Sequence, residues 1–278
     1  MAKMKKYLLS AGCVFFLILG LGLSAANVIG LFLDVRPSSI PEQDLRFRND
    51  IELSLQETLA GIKRRAEESD KEYAGRITQV IAKGLAHVEW KQFEPGKYNQ
   101  RIPIWENYIL YFMAKLTSIP EYHRYHFADY ERSLERGIGI CGDASMIMSQ
   151  LLDLQGISNQ IITFPGHVIV AAYFEDGSTV TYDPDFGVVI GPSPAAIQTQ
   201  PSLINIPYSE QGYGARDVGI LNRVYNQSFK EWDGVSHFIT KKYYFEYLAY
   251  WLKWPLPIVL VFLSWLLLRR LSTNKKAN

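Results

Sequence analysis

Gly137-Ile138-Gly139-Ile140-Cys141-Gly142-Asp143-Ala144-Ser145-Met146-Ile147-Met148-Ser149-Gln150-Leu151-Leu152-Asp153-Leu154-Gln155-Gly156 is the stretch on which the reading of this chain turns. A glycine-flanked loop leads into a helix expected over Cys141–Leu154, with Gly156 as its stop. Ala144, Ile147, Met148, Leu151 and Leu152 recur at three and four residues, so they form the buried stripe. Strands are expected near Gln160–Phe164, His167–Phe174, Thr179–Asp183 and Val188–Ile190, with Asp176-Gly177 marking a hairpin turn. A helix laid on consecutive short strands is an α+β core.

The same stretch carries the candidate chemistry. A cysteine in the first turn of a helix feels the positive end of the dipole and the free N–H groups there. Both favour thiolate, and those N–H groups can also hold a carbonyl oxygen that becomes negative. His167 opens a strand 26 residues later and Asp183 lies 16 residues beyond it. An imidazole can take the thiol proton and return it to a leaving group, while a carboxylate fixes the imidazole tautomer. Taken singly, Cys141 reads as a small buried residue and His167 as a strand-end residue; their order is what suggests a site.

Strand register tests the trio. A two-residue turn at Asp176-Gly177 pairs Phe174 with Thr179 and leaves Asp183 on the face away from His167. A three-residue loop Glu175-Asp176-Gly177, with Gly177 left-handed, pairs Phe174 with Ser178. Asp185 then stands opposite His167, and Asp183 becomes its same-face diagonal neighbour at about 7–8 Å between backbones. The triad therefore predicts an odd-length loop or a bulge, and Asp185 competes with Asp183 for the role of orienter.

Gly139-Ile140-Cys141-Gly142-Asp143-Ala144, Gly166-His167-Val168 and Tyr182-Asp183-Pro184 together resemble the core of the transglutaminase-like superfamily, over roughly residues 100–190. The resemblance implies a papain-like fold with Cys141 as nucleophile, His167 as general base and acid, and Asp183 as orienter. It also implies acyl chemistry on peptide amides, by hydrolysis, deamidation or crosslinking. The family's Asp-Pro pattern is what favours Asp183 over Asp185. Inactive members of that superfamily exist, so fold alone does not fix the reaction.

Working outward, no charged residue occurs from Tyr7 to Leu33, and a second apolar stretch runs from about Tyr247 to Leu268. A helix needs roughly 20 residues to cross a bilayer. A cleaved signal peptide is the competing reading of the first, given Met1–Lys6 and Ser24-Ala25-Ala26, but apolar residues continue past that point. Tyr243, Tyr244, Tyr247, Tyr250, Trp251 and Trp254 make an interfacial belt where Lys253 can snorkel, and Pro255 and Pro257 predict a kink. Lys3, Lys5, Lys6, Arg269, Arg270, Lys275 and Lys276 put both tails in the cytoplasm by the positive-inside rule. Residues 34–246 are then extracytoplasmic, on a bacterial inner (plasma) membrane. Cys13 falls within the first span as a lipid-facing or helix-packing residue, leaving Cys141 as the single exported thiol.

The expected divisions are 1–6 cytoplasmic tail, 7–33 first span, 34–95 helical stalk, 96–210 transglutaminase-like domain, 211–246 extension, 247–268 second span and 269–278 tail. The stalk is read as a hairpin of helices at about Glu42–Glu68, with Ile51, Leu55, Leu59, Ile62 and Ala66 on one stripe, and Lys71–Val88, with Ser69-Asp70 as break and cap. Shorter helices are expected at Ile104–Leu116 and Ala128–Arg136, the latter ending at Gly137.

With Lys+Arg 29 against Asp+Glu 28, no basic excess exists to neutralise phosphates, which excludes a nucleic-acid partner on electrostatic grounds. No phosphate loop is present, and His123 with His126 and Asp129 is weak as a metal motif, so no cofactor or metal is implied. His87 and His237 show no partner in sequence, and no motif fixes Trp105 or Asn107 as an oxyanion donor. The leading expectation is a membrane-anchored cysteine enzyme acting on a peptide or protein. The alternative is a non-enzymatic transglutaminase-like scaffold or assembly factor of an envelope or exopolysaccharide complex.

Overall fold

The computed structural model describes residues 2–46, 50 and 53–273. Ile51, Lys275 and Lys276 lie outside the described residues. The described residues are mixed α and β, with an antiparallel sheet of five strands. It divides into two compact units, which are taken separately: one gathers Met1–Val35, Asn99–Tyr125 and Phe245–Asn278, the other Arg36–Tyr98 and His126–Tyr244.

The first unit is built on two helices long and apolar enough to cross a membrane, Ala2–Gly30 and Pro255–Thr273. Phe15, Ile18, Leu21, Ile258, Phe262 and Leu263 are exposed along them, which a core helix of a water-soluble protein avoids. The two helices approach closely at Gly20, where a Cβ would lie 2.8 Å from the Pro257 carbonyl oxygen. Cys13 is buried in this unit, the packing alternative of its two expected roles. The span expected at 7–33 stops at Gly30, and Leu31–Leu33 fall in turns. The single segment expected over 247–268 is two helices, Lys241–Leu252 and Pro255–Thr273, because Pro255 cannot donate its missing N–H and starts a new helix. Lys253, at the break, donates to the Glu106 carbonyl at 2.7 Å.

The second unit carries the sheet, in the order Val188–Gly191, Thr179–Asp183, His167–Tyr173, Ser158–Phe164, Lys230–Trp232. The strand His167–Tyr173 is central and nearly all apolar because both its faces are covered. On one face Val170, Ala172 and Tyr182 pack against Ala144, Ile147, Met148 and Leu151 of the helix Cys141–Leu154. On the other, Ile169 and Ala171 meet Ile204, Tyr208, Leu221 and Tyr225 from helices and turns between Pro194 and Tyr225.

The hairpin loop after Tyr173 has the odd length. Phe174 N–H donates to Ser178 O at 3.0 Å and Gly177 sits at φ +80°, where glycine alone is unstrained. Tyr173 therefore pairs with Thr179 and Val170 with Tyr182. Gly137, at φ +66°, ends the helix Tyr130–Arg136 in the left-handed conformation and turns the chain toward the Cys141 loop.

The stalk is not found as expected. Among the described residues of 42–68 there is a 3-10 turn at Glu42–Asp44 and a short helix at Leu55–Gly61, and the next helix runs Asp70–Gly84 rather than to Val88. Ser54 and Glu57 form a capping box, as do Ser69 and Glu72, and each box sets a helix start. Tyr73, Ala74, Ile77 and Ile81 lie in the same buried cluster as the Cys141 helix, so this segment is core and not a free stalk. The expected boundary at 96 also moves, because residues 99–125 group with the apolar helices.

Candidate active site

Ile138–Gly139 forms a short parallel pairing with Ala86–His87, and Cys141 follows two residues later as the first residue of its helix. The N-cap is Ile140, whose side chain caps nothing, and the first intrahelical bond runs from Ala144 N–H to Ile140 O. The N–H groups of the first turn therefore face outward beside the sulfur. Asp143, fully buried, accepts the Ile140 N–H at 3.0 Å and the His126 Nδ1–H at 2.8 Å. Burial works against its charge, but His126, Arg136 and the Ile140 N–H outweigh it and hold its pKa below the ordinary value. His126 stacks on Trp90 at 4.5 Å between centroids, so the loop before the cysteine is fixed from the side.

His167 shares strand parity with Ile169 and Ala171, the face away from the Cys141 helix. As the first residue of its strand it sits at the sheet's end, where its ring still reaches the thiol: Cys141 Sγ and a His167 ring nitrogen lie within 4.8 Å. Its Nε2 donates to Asp183 Oδ2 at 2.7 Å, which leaves Nδ1 for exchange with another group. His167 and Asp183 are buried, whereas Cys141 is only half-buried. Burial alone would depress the His167 pKa, but Asp183 and Cys141 outweigh it and hold it well above the ordinary value.

Asp183 is heavily supported. Its Oδ1 accepts the N–H groups of Asp185 at 3.1 Å and Phe186 at 3.2 Å. Its Oδ2 accepts the Tyr208 hydroxyl, and the Tyr225 hydroxyl lies 3.4 Å from that oxygen and 2.7 Å from Tyr208. Burial, then the Asp183 charge, pushes both tyrosines well above their usual range, so they stay protonated.

Asp185, the rival orienter, takes another place. Its Oδ1 accepts from His87 Nε2 at 2.9 Å, and His87 Nδ1 donates to Asp50 Oδ1 at 2.7 Å. Carboxylates only accept, so both ring nitrogens carry protons and His87 is an imidazolium. Burial opposes that charge, but Asp185 and Asp50 outweigh it and raise the His87 pKa to about 10. Burial likewise opposes the Asp185 charge, while His87 outweighs it and lowers that pKa. An Asp185 oxygen is also within 4.8 Å of both Cys141 Sγ and a His167 ring nitrogen.

The sequence-derived residues Cys141, His167 and Asp183 thus come together. His123 instead meets the Thr117 carbonyl and His237 the Asp233 carbonyl. Asp50, His87, Tyr208 and Tyr225 were not foreseen. Gly84 after Lys83 is a helix-stop signal that frees Leu85-Ala86-His87-Val88 to be extended, and it was the available clue to His87. Nothing local marks the other three. Comparison with known protein families, with curated proteins and with solved structures finds no match to this chain.

Proposed function

We propose that this protein is a membrane-anchored cysteine enzyme of transglutaminase-like, papain-like type, acting on peptide amide bonds. The observation that carries this reading is a half-buried sulfur at a helix start, within 4.8 Å of an imidazole nitrogen, with a buried carboxylate on the same ring at 2.7 Å. In this reading His167 accepts the Cys141 thiol proton and the sulfur attacks the amide carbonyl carbon. The first-turn N–H groups hold the developing oxyanion. The C–N bond breaks as His167 returns the proton to the amine, leaving a thioester on Cys141. Water or a second amine then attacks the thioester, gives its proton through His167 to the departing sulfur, and restores the thiol.

The apolar helices serve as anchors, with both termini cytoplasmic and residues 34–246 outside. The test uses the full chain in membranes with Cys13→Ser as background, so that Cys141 is the only thiol. A thiol-directed acylating probe should label this protein, and adding Cys141→Ala should abolish labelling and turnover while the thermal transition is kept. A folded Cys141→Ala protein that still turns over substrate would overturn the enzyme and leave a tethered scaffold.

A further inference from the structure

Asp185 is the group that a cysteine–histidine–aspartate relay does not need. The relay is complete with Asp183, yet a second carboxylate is fixed within 4.8 Å of the same sulfur and ring nitrogen. It is held there, since His87 grips its Oδ1 and Asp50 grips His87 from behind. Once the sulfur is ionised, thiolate and carboxylate repel across a short gap in a poorly solvated site. His87 balances one oxygen of this carboxylate, and a divalent cation would engage the sulfur and the carboxylate together.

The donor set fits such an ion. Sulfur, imidazole nitrogen and carboxylate oxygen are the borderline-soft ligands of zinc, and in a tetrahedral site such donors stand about 3.5 Å apart. From the 4.8 Å outer limit of their separation, an inward shift of about 1.3 Å brings them there. The outer supports are also those of a metal site. His167 gives its Nε2–H to a carboxylate, which orients Nδ1 as a ligand, and the Asp185 oxygen gripped by His87 leaves the second oxygen available. Three protein ligands leave the fourth position to water, and the half-buried sulfur gives the ion a route in.

We infer that Cys141, His167 and Asp185 form a binding site for Zn²⁺ that shuts off the thiol, with His87 as its outer support. Binding replaces the S–H bond by an S–Zn bond and releases one proton to solvent, so it strengthens as pH rises. The inhibitory consequence rests on the enzyme reading above; the binding itself does not.

Purified full chain in lipid nanodiscs, in the Cys13→Ser background, is titrated with Co²⁺ as the optical probe and then with Zn²⁺ in competition. One equivalent of Co²⁺ should give thiolate-to-cobalt charge-transfer absorption, displaced by one equivalent of Zn²⁺ and absent in Cys141→Ser, a change small enough to keep the fold. Asp185→Asn, checked for a native thermal transition, should weaken binding at least about tenfold, and His87→Gln should weaken it about 10–100-fold. The inference is overturned if the parent shows no charge-transfer band, or if folded Asp185→Asn binds as tightly as the parent. Thiol labelling in chelator reads the enzyme proposal separately: labelling without metal binding leaves the enzyme and removes the site, and metal binding without turnover in chelator does the reverse.

Discussion

Two buried histidines lie within one unit, and their surroundings assign them opposite work. His87 has a carboxylate on each ring nitrogen, at 2.7 and 2.9 Å. Both nitrogens must donate, neither proton can leave cheaply, and the ring serves as a fixed cation between Asp50 and Asp185. His167 has a carboxylate on Nε2, and one of its ring nitrogens lies within 4.8 Å of a thiol that can give or take a proton. One ring is saturated and the other is half-saturated. A buried imidazole can exchange protons only where one of its nitrogens faces a reacting group, and burial with a carboxylate does not by itself mark a site.

The sharpest way to break this comparison is to make the same substitution at both positions. His167→Gln should lower turnover by roughly a thousandfold, since the proton shuttle is lost while the amide still occupies the space. His87→Gln should act mainly on stability, by about 3 kcal/mol in chemical denaturation, because two buried carboxylates lose their common cation. Turnover per folded molecule should fall far less than at His167. Equal losses of turnover at the two positions, with little change in denaturation, would mean that His87 is part of the chemistry and that the distinction fails.

What could be read from the sequence follows from how local each signal is. The helix Cys141–Leu154 is found over its expected residues because its periodicity and stop all lie within one segment. The hairpin register turned on one residue, Gly177, and the two loop lengths could be written down in advance with opposite consequences for Asp183. The role of His87 was hidden because it reaches the site through long-range pairing, Ala86–His87 beside Ile138–Gly139, and Asp50 joins it only through a side-chain bond 37 residues apart. Tyr208 and Tyr225 were cut apart by a boundary expected at 210, since nothing in a Pro- and Ser-rich stretch announces that it folds back over a sheet. The helix Leu55–Gly61 was a different failure. Its start was written in Ser54 and Glu57, but apolar spacing extended the helix through that cap.

The smallest effect expected tests the comparison at a wetter pair. Arg76 meets Glu68 through two bonds, Nε to Oε1 at 2.6 Å and Nη2 to Oε2 at 2.8 Å, and also donates to the Gly61 and Lys63 carbonyls. It thereby ties the end of the helix Leu55–Gly61 to the helix Asp70–Gly84. The Arg76 hydrogen bonds outweigh burial and lower the Glu68 pKa from 4.5 to about 2. The folded value is the lower one, so this pair stabilises fully above about pH 4.5, and its contribution is lost as pH falls through 2. Solvent at this pair screens the charges, which limits the gain to about 1 kcal/mol. Glu68→Gln should therefore melt about 2–4 °C lower at pH 6 and converge with the parent near pH 2. Turnover at pH 6 should be unchanged. A gap that persists undiminished at pH 2 would show that shape and not charge joins these helices. Glu68 would then differ from Asp185 in kind, whereas a gap that closes makes the two carboxylates the same device at different depths.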